Sequence, residues 1–491
     1  MGVKPHPPLG PLLIGYDPFV DLPEDHLCRF VDSVVDSYVP APLKTGPGQP
    51  PYDRRMTMKV LLFGYATGVR SSRRLDQNCR ESLPYLLLVR DDRPSYRTLC
   101  TARCECKDLM DSLWIEMYRL AAECGMEYMG KIAVDSTKIR ADVSMDSVVA
   151  RKEMDEVLAS FREILKEAEM TDAREDEEGT GLRTQTGVSV SDMREVLRRI
   201  RTRKTEKILP STGLAKSIEQ GVKTLEAAKA ADLAHASLTD PDARMMPIGA
   251  SRKIAMGHSF EAVADNGLLV VGQTHNGATD NDRLGILVAQ AKAADPVPVT
   301  QVLADSGYFS GGIVNELLEQ EGLDVVVPDA RTAAAMRKAP EPGPDPIVFE
   351  RVEGRNAYIC PQGKLLRPED RIFRSGQWFT TYVAETSCLE CPLASRCLKN
   401  PAAKRRNLII GEFNDAIKTH LARFENPEVR ELYYTRGPAV ETAFSIFRNI
   451  MRFCRWSLRG SAKVETEAKV LKAAYQIRKL HTAKNALAAA R

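Results

Sequence analysis

No stretch of eighteen or more apolar residues occurs in the chain, so a membrane span is not expected. The first residues, Met1-Gly-Val-Lys-Pro-His-Pro-Pro8, lack the apolar core of a secretion signal. The expected location is therefore the cytoplasm, where thiols stay reduced. Neither charge dominates: 69 Lys and Arg stand against 66 Asp and Glu, a net of +3, so the whole chain is no polycation. Cysteines of the first part, among them Cys79, Cys100, Cys104, Cys106 and Cys124, show no regular spacing and read as small core hydrophobes. What remains is an ordinary soluble composition, 43% hydrophobic and 27% charged, in 491 residues, a length that suggests two to four domains.

Charge is nevertheless uneven. Between Arg436 and His481 ten Lys and Arg face three Glu, a net of +7 (10 − 3). Such an end suits a polyanionic partner, or forms a solvated helix face.

The chemistry is carried by acids at the ends of apolar runs. Ile132-Ala-Val134 reads as a buried strand that ends on Asp135, within Val134-Asp-Ser-Thr-Lys138. The arrangement returns at Val302-Leu-Ala-Asp305-Ser-Gly-Tyr308. An acid at the end of a central strand is costly to desolvate unless it is paired or holds a metal. Either Asp taken alone could serve only to cap a turn. A third acid lies in Tyr433-Tyr-Thr-Arg436-Gly-Pro-Ala-Val-Glu441, which continues to Arg448 and reads as one helix. Pro438 suits its first turn. Val440, Phe444, Phe447 and Met451 recur at helical spacing and should face a core. Glu441 and Arg448, seven apart, share a face, as an ordinary surface pair also would.

These words, in this order, resemble the DDE transposases of bacterial insertion sequences. Val-Asp-Ser-Thr-Lys and Ala-Asp-Ser-Gly-Tyr match the surroundings of the family's first two acids. The third resembles the branch with a Tyr-x2-Arg-x3-Glu-x6-Lys signature, filled here by Tyr433, Arg436, Glu441 and Arg448. Two departures exist: four residues separate Arg436 from Glu441, and Arg448 stands in the Lys place. The resemblance spans Asp17 to Leu480. It implies catalytic, metal-holding Asp135, Asp305 and Glu441, two Mg2+ (or Mn2+) ions, and DNA contacts by Tyr433, Arg436 and Arg448. Its expected partners are the terminal inverted repeats of an element and target DNA, bound by a homodimer.

The expected fold class is an α/β ribonuclease-H-like catalytic core, a mixed sheet with helices. To it are added an all-α N-terminal domain, a helical insertion and a small cysteine-containing insertion. The fold name comes from the resemblance. The order of acid strand, two strands, helix, acid strand, helix, strand and acid helix is read from the residues. Residues 1–16 form a flexible tail. Residues 17–126 are helical, with Arg near helix starts at Arg70, Arg73 and Arg93, which fits a helix-turn-helix-like DNA-binding module or a plain bundle. The core takes 127–335 and 434–485. A helical hairpin at 147–235 interrupts it, with an acidic break at Arg174-Glu-Asp-Glu-Glu-Gly179. Its basic run, Arg198 to Lys204, reads as a solvated face or a DNA-backbone contact. Asp265-Asn-Gly267 signals a two-residue hairpin turn.

A second insertion, 336–433, opens with Pro-rich Ala339–Pro346 and holds Cys360, Cys388, Cys391 and Cys397. One Cys-x2-Cys with two further cysteines fits a structural Zn2+ site; free core thiols are the other reading. The function expected is transposition: metal-dependent phosphodiester hydrolysis at element ends, then strand transfer. A related nuclease without strand transfer and a transposase-derived DNA-binding protein are the alternatives.

Overall fold

The computed structural model describes residues 18–39, 52–178, 188–203, 208–249, 251–277, 280, 282–337, 347–374, 377–398, 400 and 402–490. The expected tail at 1–16, the Pro-rich stretch Ala339–Pro346 and Lys204 of the basic run lie outside the described residues. Two units are present: Met1–Glu127 with Ser445–Arg491, and Tyr128–Phe444.

The first unit is helical. Its elements include α1 (Leu27–Tyr38), α2 (Arg54–Ala66), α3 (Ser72–Glu81), α4 (Leu83–Val89), α5 (Tyr96–Glu105), α6 (Lys107–Glu123) and the C-terminal helix Ser461–Ala489. Asp53 and Ser95 cap α2 and α5 by accepting the backbone N–H groups of Arg55 and Thr98. Residues Met56 to Ala66 of α2 are all buried, so this helix forms the middle of the unit. Its one buried cation, Lys59, is neutralised by Asp32 and Asp36 of α1 at 2.6 and 2.7 Å. A buried anion does similar work. Glu467 of the C-terminal helix accepts the Tyr65 hydroxyl at 2.7 Å and the backbone N–H groups of Ser457 and Leu458 at 2.8 and 3.0 Å.

The second unit is organised on a mixed sheet. β1 (Lys131–Arg140) runs antiparallel to β3 (Lys253–Asp265) on one side and parallel to β5 (Gln301–Ala304) on the other. β6 (Asp324–Val326) extends the parallel edge. Both β2 (Arg244–Ile248) and β4 (Leu268–His275) pair with β3. Asn266 and Gly267, with φ of 49° and 74°, make the two-residue turn between β3 and β4; positive φ at both places is what that turn requires. One face of the sheet carries Ile132, Val134, Val302, Ala304 and Val325, covered by Leu284, Leu287, Val288 and Ala291 of α10 (Leu284–Ala294). On the other face Leu303 and Val326 meet Phe424 and Tyr433.

Two segments interrupt this sheet. Between β1 and β2 lie α7 (Met154–Glu178), α8 (Met193–Arg201) and α9 (Thr212–Ala230). They share a core of their own, which includes Phe161, Leu197, Ile218 and Leu225. The acidic stretch from Arg174 does not break the helix at its start, since α7 continues to Glu178. In the basic run, Arg198 and Arg199 pair with Glu195, and Arg201 with Glu153. After β6 comes an antiparallel sheet in the order β7 (Glu350–Arg351), β8 (Tyr358–Ile359), β9 (Leu365–Arg374), β10 (Gln377–Ala384) and β11 (Asn407–Gly411).

Two local expectations change. β1 does not end at Asp135 but runs on to Arg140, because its pairing with β3 continues from Ser136↔Glu261 to Arg140↔Gly257. Pro438 does not open its helix. The helical path begins at Pro427, capped by Asn426, and α15 (Pro427–Tyr434) leads into a wide π-type turn at Gly437–Glu441 before α16 (Thr442–Asn449). An α-helical turn would drive the proline ring into the preceding carbonyl, and the wider turn makes room for it.

Replacing Glu467 by Ala should lower the stability of the helical unit by roughly 3 kcal/mol, since a buried hydroxyl and two N–H groups lose a charged acceptor. Chemical denaturation followed by circular dichroism measures this, and Glu467→Gln should fall between the two.

Candidate active site

Strand pairing brings the first two acids together. Val134 and Ala304 are partners in the parallel register of β1 and β5, so Asp135 and Asp305 follow side by side. Adjacent strands lie ~4.8 Å apart. Val134 and Ala304 point into the α10-side core. By alternation, Asp135 and Asp305 emerge on the opposite face. That is the face on which Tyr433 of α15 packs. Asp305 also accepts the backbone N–H of Gly307 at 2.9 Å, which holds the turn after β5.

Arg436 joins the first acid to the third. Its guanidinium donates to Oδ2 of Asp135 at 2.7 Å and to Oε1 of Glu441 at 2.9 Å. The wide turn makes this reach possible by placing Glu441 five residues on, back toward Arg436. Arg436 also lies 5.8 Å from the Tyr433 ring centre. Its Nε is buried with no hydrogen-bond partner among the described residues. Glu441 itself is exposed, its side chain 56% accessible, so the cluster opens to solvent on that side.

The charges are tightly balanced. Burial pushes the Asp135 carboxyl up to about 6; Arg436 opposes the shift and Asp305 adds to it. Burial works against the charge of Arg436, but Asp135 outweighs it, and its pKa is raised. Burial also raises the Tyr433 hydroxyl, with Arg436 acting against and Asp305 with the shift.

Of the residues expected at the site, the structure gathers Asp135, Asp305, Glu441, Tyr433 and Arg436. Arg448 is exposed on α16, two turns beyond Glu441, and the link among the acids runs through Arg436 instead. The four cysteines Cys360, Cys388, Cys391 and Cys397 lie elsewhere, around one small cavity. Among the described residues, no three His, Cys, Asp or Glu side chains form a ready-made metal-holding group.

Sequence reasoning missed a polar network on the reverse face of β1. Lys138 donates to Asp280 at 2.7 Å, Ser259 at 2.9 Å and Ser136 at 3.1 Å. Next to it the fully buried Glu261 receives both arms of Arg283 at 2.9 and 2.8 Å. The signal available was alternation: Ser136 and Lys138 of Val-Asp-Ser-Thr-Lys must share the face that Asp135 leaves. Their partner Asp280 comes from 142 residues later and has no local mark.

With this geometry in place, comparison with known families is direct. A family model described as "Transposase DDE domain" matches residues 359–481, and one described as "Transposase domain (DUF772)" matches 18–105. No curated protein and no solved structure matches the chain. The first match includes Arg436 and Glu441, while Asp135 and Asp305 precede it. Both matches are to transposase families, and a DDE catalytic domain implies a ribonuclease-H-like fold. The matches support a DNA transposase of the insertion-sequence kind. Such enzymes depend in general on divalent metal, and DNA is their partner. Among the described residues no helix is long and apolar enough to cross a membrane.

Replacing Arg436 by Met should leave Asp135 beside Asp305 with no counter-charge. Its midpoint should rise further above about 6, and the unit should lose roughly 2 kcal/mol at neutral pH. A carboxyl held above its unfolded value of ~3.9 binds more protons folded than unfolded, so stability falls as pH rises through the folded midpoint. The loss should thus be larger at a pH of about 8 than at about 5, measurable by denaturation at the two values.

Proposed function

We propose that Asp135, Asp305 and Glu441 are the catalytic acids, and that this chain cuts phosphodiester bonds at the ends of a mobile element and joins them to target DNA. The carrying observation is the convergence of the three acids around one guanidinium. The cluster is open on the Glu441 side and its donor set is all oxygen, as hard divalent cations require, and metal would take the place that Arg436 now holds between Asp135 and Glu441. Asp135, Asp305 and Glu441 would hold two Mg2+ or Mn2+ ions, which when bound activate the attacking oxygen and stabilise the leaving one. Water opens the bond at the element end and leaves a 3′-hydroxyl. That hydroxyl then attacks a phosphodiester of the target, so no covalent protein intermediate is required.

Arg436 keeps the acids together by binding Asp135 and Glu441 at once. Tyr433 fixes Arg436 from below, and Arg448 supplies positive charge to the DNA backbone further along. The proposed layout assigns 17–126 to recognition of element ends, 147–235 to a helical insertion, and 127–335 with 434–485 to the ribonuclease-H-like core, although Ser445 onward packs in the helical unit and only the part up to Phe444 packs with the sheet. Two copies acting together, one per element end, in the cytoplasm complete the reading.

The insertion at 336–433 would carry a structural Zn2+. Cys360 lies apart from Cys388, Cys391 and Cys397 in sequence, yet all four line one cavity of about 20 Å³. The turn after Cys360 is shaped around its sulfur: Gly363 has φ of 73°, and the Lys364 N–H points at Sγ at 3.4 Å. Four soft thiolates of this kind suit zinc and not magnesium.

Asp135→Asn, Asp305→Asn and Glu441→Gln should each abolish Mg2+-dependent cleavage of an element end while DNA binding persists. Cleavage at the unaltered rate by any one of them removes that residue from the site. Freshly purified, reduced protein should contain one zinc per chain by elemental analysis, and Cys391→Ala should lose it. Absence of bound zinc in such protein would leave these four as core thiols only.

A further inference from the structure

β1 loses one of its neighbours at the first acid. β5 stops at Ala304, which lies opposite Val134. From Asp135 onward, among the described residues, β1 is paired only on its β3 side. The next residue, Ser136, is held instead by side chains on the face turned away from the acid cluster. Its hydroxyl donates to Oδ2 of Asp280 at 2.9 Å and accepts from Nζ of Lys138 at 3.1 Å. A lysine has three N–H donors. The other two of Lys138 go to Asp280 at 2.7 Å and to Ser259, its partner across the register on β3, at 2.9 Å. Asp280 comes from the segment just before α10.

Stability alone does not account for such a pair. The side chains of Lys138 and Asp280 are only 15% and 17% accessible, and desolvating two charges offsets most of their attraction. Val134 and Val263 continue the same face as an apolar core, which apolar side chains at this place would simply extend. What the pair does hold is the group beside the acid. The backbone N–H of Ser136 donates to Oδ1 of Asp135 at 2.7 Å, while Arg436 donates to Oδ2. The two oxygens of Asp135 thus have different partners. A metal would displace Arg436, whereas Ser136 can remain in place.

We propose that Lys138 and Asp280 are positioning residues for Asp135: by fixing Ser136 they keep its N–H on one carboxylate oxygen, so that the other stays aimed when a divalent cation takes the place of Arg436. Groups that hydrogen-bond a metal-holding carboxylate orient it and tune its affinity, and here that support is relayed through one serine. The proposal rests on the reading of Asp135 as a metal-holding acid and deepens it.

The test uses the full chain and two measurements. Hydrogen exchange of the metal-free protein should show lost protection at the Ser136 amide in Lys138→Met, while Ile132 to Val134 stay protected. Binding of Mn2+, followed by the paramagnetic resonance of the free ion, should be about tenfold weaker in Lys138→Met and in Asp280→Asn. The double variant should be no weaker than the worse single one, because the two side chains act as a unit. Ser136→Ala removes only the hydroxyl, which spares the fold, and should also weaken Mn2+ binding. Leu287→Ala, which removes apolar bulk from the core under the same sheet, should lower the melting temperature and leave Mn2+ affinity unchanged. Unchanged exchange and unchanged Mn2+ affinity in the charge variants and in Ser136→Ala overturn the proposal, and the acid cluster keeps its reading. A loss of affinity in Leu287→Ala as large as in Lys138→Met also overturns it, since the pair would then serve stability alone. An unaltered chain that binds no Mn2+ overturns the metal reading of the acids and this proposal with it.

Discussion

Three carboxylates gathered in one place repel one another, and a positive charge among them offsets that repulsion. In this protein Arg436 supplies that charge, bound to Asp135 and Glu441 at once. The requirement shapes the backbone around it. Arg436 and Glu441 face each other only because the helical path widens between them, where Pro438 would not fit an α-helical turn. Pro438 and the extra residue between Arg436 and Glu441 are accommodated by the same wide turn. The extra residue between Arg and Glu is absorbed by the wide turn, and the acid still arrives at the sheet.

β1 is the element on which both sides of the second unit meet. One face of it carries Asp135 to the acid cluster. The other carries Val134 into the α10-side core and Lys138 into a pair with Asp280. The parallel partner β5 sets Asp305 beside Asp135, and antiparallel β3 prolongs β1 beyond the acid. A strand gripped this way has little freedom to move its carboxylate. Rigid placement of charge is what an electrostatic site needs, because no reorganisation is then required at the moment of reaction.

Its two insertions use different physics. The helices at α7–α9 bury a common apolar core, and the arginines of α8 are engaged by nearby acids. The β7–β11 sheet has few buried side chains, with Leu366 and Ala384 among the small set. At one end of this sheet Cys360, Cys388, Cys391 and Cys397 line one small cavity, and at the other Gln377 packs between Gly311 and Gly411.

The sequence by itself determined the acids, their order and the elements that bear them. The apolar runs before Asp135 and Asp305 read as buried strands, Asp265-Asn-Gly signalled a turn, and the spacing of Val440, Phe444, Phe447 and Met451 gave a buried stripe. These follow from local chemistry: alternation, helical period and turn geometry act within a few residues. The tertiary structure alone decided which charges meet. Asp135 pairs with Arg436 from 301 residues away, and Lys138 with Asp280 from 142. It also brought Cys360 to a cavity with three distant thiols. Where β1 stops was decided by its partner β3, not by Asp135, because a strand continues as long as a neighbour's N–H and C=O groups pair with its own. Partnership across the chain is a property of the packed sheet, and no local signal carries it.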